Sequence, residues 1–205
     1  VRVDRHDPAF GRPTKPVGPF YTHARAGELR RERGYTFVDA GPRGFRRVVP
    51  SPAPREIVEV RAIRACLDEG LVVIAAGGGG VPVFNDKNVH KGVEAVIDKD
   101  LTSALLASQT GADMLVIVTG EERVCLDYGT PAQRPLDRLT APEARRHLQE
   151  GHFPEGSMGP KIQAALFFLE QGGREVVVTD RAHLVRAVEG RAGTRIVPDP
   201  VRLLQ

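Results

Sequence analysis

After Pro54 the chain alternates between short β-branched runs and segments with helical apolar spacing, and that alternation leaves few folds open to it. Leu71-Val72-Val73-Ile74-Ala75-Ala76 is wholly apolar, as a parallel strand buried on both faces would be. Val93 to Ile97, Met114 to Thr119, Glu175 to Thr179 and Thr194 to Val197 carry the same strand signal. Between them Glu56 to Glu69 reads as an amphipathic helix, with Ile57, Val60, Ile63, Ala65 and Leu67 inward and a stop at Gly70. Leu101 to Gln109, Glu143 to Glu150, Pro160 to Gln171 and Ala182 to Glu189 read as further helices. Strands alternating with helices predict an α/β fold with a mainly parallel sheet.

Residues 4 to 54 form a different block, in which Pro and Gly recur too densely for long regular elements. Only Thr22 to Gly34 has a helical pattern there, with a Thr N-cap and a Gly stop. This block is expected to be an excursion from the main fold without a continuous core of its own. A chain of 205 residues, 41% apolar and 27% charged, fits one large α/β domain or two lobes.

Several function classes fall away on composition. No apolar run approaches the roughly 20 residues that a bilayer requires, so no membrane span is expected. Cys66 and Cys125 are too few for a disulfide scaffold or a four-cysteine zinc site, and no signal-peptide pattern opens the chain. Reduced thiols in a cytoplasmic protein are the expectation. The histidines His6, His23, His90, His147, His152 and His183 show no metal-ligand spacing, and no metal ligands are assigned. The net charge is only +3. Arg30, Arg31 and Arg33, and likewise Arg43, Arg46 and Arg47, lie near Gly and Pro without interleaved stacking aromatics. They predict a solvated face and no nucleic-acid partner.

Four stretches could carry chemistry. Gly77-Gly78-Gly79-Gly80 follows the first apolar run at what would be its carboxyl end, where open α/β sheets place ligands. Glycines there allow positive φ and let successive N–H groups face an anion; the plainer alternative is a flexible turn. The stretch is neither a dinucleotide fingerprint nor a Walker A loop. Asp98-Lys99-Asp100 stands at a predicted strand-to-helix junction. A helix N-terminus attracts phosphate, Lys99 adds a point charge and a neighbouring carboxylate can hold it; acidic capping beside a solvated lysine is the alternative. In Gly156-Ser157-Met158-Gly159-Pro160-Lys161, Pro160 suits the first helical position, which puts Lys161 in the first turn against the helix dipole. An anionic ligand would relieve that charge. Lys15 projects from the stiff segment Pro13-Thr14-Lys15-Pro16, where an ordinary surface lysine is the alternative. No Ser/His/Asp set is present, and Cys125, in an apolar stretch, is expected to be packed. Phosphate handling by lysines and backbone, without a covalent intermediate, is the chemistry these residues offer.

The same stretches resemble the carbamate kinases of the amino acid kinase superfamily. The resemblance runs through Pro13 to Phe20, Val48 to Pro52, Gly77 to Pro82, Gly92 to Asp100, Gly151-His152-Phe153 and Gly156-Ser157-Met158 into Pro160-Lys161. The proline-rich arm and the Asp-Lys-Asp segment are its most specific parts. It implies an αβα sandwich, with residues 1–51 as a protruding lid, 52–110 as the later part of a substrate lobe and 111–205 as a nucleotide lobe. It also implies phosphoryl transfer between ATP and carbamate, running back from carbamoyl phosphate and ADP, with Mg²⁺ carried on the nucleotide. By the resemblance Lys99 and Lys161 are transition-state lysines, Asp100 organises them, and Lys15 reaches the carbamoyl phosphate from the arm. Gly77, Gly78, Gly79 and Gly80 lie on the phosphate side, with Gly78 and Gly79 as backbone donors. Thr119, Gly120, Tyr128, Met158 and Lys161 fall where the family holds its nucleotide. A cytoplasmic homodimer of arginine metabolism is implied as well.

Two departures qualify the match. The family's opening strand with a Gly-Gly-Asn loop and its Gly-Asn-Gly-Pro segment have no counterpart, so the chain is expected to be a fragment that does not catalyse alone. Glu121-Glu122 replaces an apolar-acidic pair after Thr119-Gly120. Another amino acid kinase, and a nucleotide-binding remnant without activity, remain as alternative readings.

Overall fold

The computed structural model describes residues 1–154 and 156–199, and its contacts divide the chain into two compact units. The first comprises residues 1–58 and 77–98, the second residues 59–76 and 99–205. The first unit holds β1 (Arg2–Val3), β2 (Lys15–Tyr21), helix α1 (His23–Arg33), β3 (Thr36–Asp39), β4 (Phe45–Val49), β5 (Pro54–Glu56), β6 (Val83–Asp86) and β7 (Val89–Gly92). The second holds α2 (Val60–Asp68), α3 (Lys99–Thr110), β8 (Met114–Thr119), β9 (Cys125–Leu126), β10 (Arg134–Pro135), β11 (Arg138–Thr140), α4 (Ala141–Gln149), α5 (Met158–Glu170), β12 (Glu175–Asp180), α6 (Leu184–Val188) and β13 (Thr194–Val197).

In the first unit β2, β4 and β3 form an antiparallel sheet in that order, and a second sheet runs β5-β1-β6-β7. The Thr22 hydroxyl accepts a bond from Arg25 N at 3.3 Å and starts α1; Arg30, Arg31 and Arg33 close it, where cations suit the helix dipole. Phe37 and Val48 are buried, and the Tyr21 ring meets Phe37 edge-on with centroids 5.3 Å apart. Arg30, Arg31 and Arg33 lie exposed on α1, as a solvated face would, with Arg46 and Arg47 on β4 and Arg43 in a short turn. Arg30 stacks over Phe37 and Phe45, Arg43 and Arg46 over Phe20, and Arg47 over Tyr35. Aromatics distant in sequence supply the faces that the local sequence did not suggest.

In the second unit the sheet order is β11-β13-β12-β8, with β8 parallel to β12 and β11 parallel to β13. Val176, Val177 and Val178 of β12 are fully buried, so this strand has apolar cover on both faces. Ile162, Ala165 and Phe168 of α5 join Val176, Val178, Ile196 and Ala104 in the core. α4 begins with a capping box: Glu143 N donates to Thr140 Oγ1 at 3.4 Å, and Thr140 N to Glu143 Oε2 at 2.8 Å.

Three sequence expectations are corrected. Leu71–Ala76 is not a strand buried on two faces: it joins no ladder among the described residues, with Val72 95% and Ile74 97% exposed. Val73 and Ala75 line a shallow groove with Ile63 and Leu67 of α2 and Leu106 and Ala107 of α3, so only alternate residues gain cover. Composition gives the same β-branched run as β12; paired neighbours decide which run becomes a core strand. Val93–Ile97 forms no ladder either, its place being taken by the β6–β7 hairpin, in which Lys87 (φ 50°) and Asn88 (φ 66°) make the turn. The Glu56–Glu69 helix starts only at Val60, because Pro54–Glu56 pairs antiparallel with β1 and Arg2 binds Glu56 at 2.6 Å.

Candidate active site

In the first unit Lys15, the first residue of β2, forms an ion pair with Asp98, whose side chain is buried. Register places Lys15 opposite Val49, and Val96 N donates to Pro50 O at 3.0 Å, so the backbones carrying the two partners are tied together. The sequence marked Lys15 alone. Asp98 as its counter-charge was missed, although the Asp-Lys-Asp segment was the available signal.

Gly77–Gly79 form a short helical turn with Gly80 N bonded to Gly77 O at 3.2 Å. Gly78 (φ 66°), Gly79 (φ 100°) and Gly80 (φ 79°) all occupy the region that side chains disfavour. A Cβ on Gly80 would also strike the Val1 side chain at 2.5 Å. The positive φ values match the expectation for this loop, while the strand it was to follow is absent.

In the second unit Lys161, in the first turn of α5, donates from Nζ to Asp100 Oδ2 at 2.8 Å, with both side chains only 12% exposed. Met158 opens the helix, so Pro160 is its third residue and not its first as the sequence suggested. Asp100 sits in the first turn of α3, where a carboxylate suits the helix dipole. It supplies the negative charge that Lys161 needs at the start of α5, a task the sequence reading gave to a ligand. Lys99 lies 3.8 Å from the same carboxylate oxygen but is 62% exposed. One carboxylate therefore faces two ammonium groups, one shielded and one exposed.

A cleft of about 240 Å³ in this unit is lined by Thr119, Gly120 and Tyr128, together with Met158. Four of the five expected nucleotide residues are thus brought together; Lys161 lies outside this lining, one turn along α5 from Met158. Thr119 ends β8 and Met158 begins α5, so a strand C-terminus and a helix N-terminus face one opening. The far wall is pinned by Val124 N donating to Thr194 Oγ1 at 2.8 Å and by Arg123 bound to Asp137 at 2.7 Å. Sequence reasoning missed Glu121, Arg123, Cys125, Pro154 and Ser157 as lining residues. Tyr128 Oη donates to Glu121 Oε1 at 2.7 Å, and that bond raises the phenol pKa above its ordinary value. The Cys125 residue is buried, in agreement with a packed thiol.

The site and fold have clear relatives. The model of the amino acid kinase family matches residues 15–180. The chain belongs to the amino acid kinase family. It is 51% identical over 199 residues to the carbamate kinase-like protein YahI of Escherichia coli, a match covering 96% of this chain and 63% of that protein. With the carbamate kinase of Thermococcus kodakarensis it shares 47% identity, over 95% of this chain and 62% of the other. The solved carbamate kinase of Giardia lamblia bound to AMP-PNP superposes with a TM-score of 0.86 at 41% identity, over 97% of this chain and 63% of that one. The chain thus spans somewhat less than two thirds of the length of the curated relatives it matches.

Proposed function

We propose that the protein is a carbamate kinase-like phosphotransferase, moving a phosphoryl group reversibly between ATP and carbamate without a covalent intermediate. The observation that carries the reading is the Lys161–Asp100 pair at the start of α5, beside a cleft lined by the residues expected to hold a nucleotide. Its support from relatives is the carbamate kinase likeness at 47–51% identity.

Phosphoryl transfer asks little covalent chemistry of a protein; it asks for alignment and for positive charge at the equatorial oxygens. Lys161, largely withdrawn from water, offers a charge that acts more strongly on a transferring group than a solvated one would. Asp100 keeps Lys161 aimed, and Lys99 supplies a second cation able to swing. Lys15, held by Asp98, serves as the lid residue on the carbamoyl phosphate side. Gly77 to Gly80 offer backbone N–H groups to phosphate, chiefly Gly78 and Gly79. Thr119, Gly120, Tyr128 and Met158 receive the nucleoside end of ATP or ADP, with Lys161 at its phosphates. Mg²⁺ arrives on the nucleotide and neutralises phosphate charge.

In this reading residues 1–51 act as the lid over substrate, 52–110 as part of the substrate lobe and 111–205 as the nucleotide lobe. The working form is a cytoplasmic homodimer in arginine metabolism, with no nucleic-acid partner. Among the described residues, no helix is long and apolar enough to cross a membrane.

The test is ATP formation from carbamoyl phosphate, ADP and Mg²⁺ by the chain as it stands and by its Lys99→Ala variant. Turnover that the substitution abolishes supports the reading. A folded chain that binds ADP without turnover overturns catalysis by this polypeptide and favours a nucleotide-binding role. Absence of both turnover and ADP binding overturns the nucleotide cleft as well.

A further inference from the structure

Away from the paired lysines, the C-terminal end of α4 gathers two imidazoles and two carboxylates. Gly151 adopts φ +80°, and the chain folds back over the last helical turn, with Gly151 N bonded to Leu148 O at 3.2 Å and His152 N to His147 O at 3.1 Å. That reversal brings His152 beside His147, though a gap of five residues would separate them on a continuing helix. His147 Nδ1 lies 3.1 Å from Glu150 Oε2, and His152 Nε2 lies 3.4 Å from the same oxygen. One donor atom from each of the three residues falls within 4.8 Å of the others. The second nitrogen of His152 is 3.0 Å from Asp127 Oδ1. A carboxylate there accepts a hydrogen bond from Nδ1–H, the tautomer that leaves the Nε2 lone pair facing the cluster, as metal-bound histidines are usually held.

We propose that His147, Glu150 and His152 form a binding site for a first-row divalent cation of the Zn²⁺ type, with Asp127 orienting His152. Imidazole donors favour zinc over Mg²⁺ or Ca²⁺, which take all-oxygen sites. Tetrahedral bonds of about 2.0–2.1 Å set neighbouring donors roughly 3.4 Å apart, close to the two separations at Glu150. Three protein ligands leave a fourth position for water. Arg146 Nε, 3.8 Å from Glu150 Oε1, competes for the other carboxylate oxygen and leaves Oε2 to the imidazoles. The bound ion would fasten the end of α4 to the loop that carries Asp127 and Tyr128. The site is independent of the phosphotransferase reading, because none of its ligands belongs to the proposed reaction centre.

The test is a Zn²⁺ titration of the whole chain against a metallochromic chelator, repeated with Co²⁺ by visible absorption. One equivalent bound with a micromolar or tighter Kd, weakened at least 30-fold in His152→Asn and in the exposed-site variant Glu150→Gln, is expected. Asp127→Asn should bind about 10-fold more weakly without losing the site. Far-ultraviolet circular dichroism checks that each variant folds. Zinc binding unchanged in a His147→Asn, His152→Asn double variant, a thiolate-to-cobalt band pointing to Cys66 or Cys125, or no binding at all would overturn the proposal.

Discussion

Lys161 Nζ and Asp100 Oδ2 stand 2.8 Å apart across the first turns of α5 and α3, and each side chain is nearly withdrawn from solvent. Two helix N-termini thereby present one cation and one anion to each other. The anion is favoured by its dipole and the cation disfavoured by its own, a cost that the ion pair offsets.

Removing either partner should have a different signature. Lys161→Ala is expected to lower kcat by about 10²–10³-fold while the far-ultraviolet spectrum stays native, the loss typical of one preorganised donor. Unchanged turnover in the active protein would remove Lys161 from the reaction.

Asp100→Asn leaves the Lys161 ammonium without its counter-charge in a poorly solvated position. A destabilisation of about 3 kcal/mol is expected, read from urea unfolding. Asp100→Asn combined with Lys161→Met should recover much of that loss, since an unpaired charge costs more than an apolar replacement.

The Tyr128 ring lines the cleft with Thr119 and Met158. Tyr128→Ala is expected to raise the Kd for ADP about fivefold, on the order of 1 kcal/mol, by isothermal titration. Tyr128→Phe, which keeps the ring and loses the bond to Glu121, should bind nearly as the parent does.

Glu143 carries the pH dependence of the α4 cap. The bond from Thr140 N, followed by that from the Thr140 hydroxyl, holds its carboxyl below the ordinary value of 4.5. A lowered folded-state pKa adds stability that is fully present above the unfolded value and fades as the pH falls through the folded one. Melting temperature should therefore drop more steeply in the parent than in Glu143→Gln on acidification below about pH 4.5. At neutral pH Thr140→Ala should cost about 1 kcal/mol.

Gly173 tests the packing of the second unit. A Cβ at this position would collide with the ring of Phe168, which is wholly buried. Gly173→Ala is expected to destabilise by about 2–3 kcal/mol in chemical denaturation.

Elements with a local signal were legible in the sequence, and those that depend on distant partners were not, for a physical reason. β8 and β13 could be read from local signals, a β-branched run and its flanking turns, and so could most of α4. Leu71–Ala76 and Val93–Ile97 carried the same local signal, but a ladder is a non-local property that no window of residues contains. The paired Lys161 and Asp100 were legible as helix-start residues, whereas the Lys15–Asp98 pair joins positions that only the folded backbone brings together. The cleft residue Arg123 had no sequence signal, since it belongs to no motif, while Ser157 stood inside the Gly156-to-Lys161 stretch without being singled out. His147 and His152 were hidden by spacing, because Gly151 reverses the chain between them.

The solvated stretch from Leu71 to Ala76 has one more consequence for this 205-residue chain. It is uncharged, free of proline and rich in β-branched residues, and it joins no ladder among the described residues, the makeup from which ordered fibrils nucleate. A lysine placed at Val72 is therefore expected to act as a gatekeeper against fibre growth.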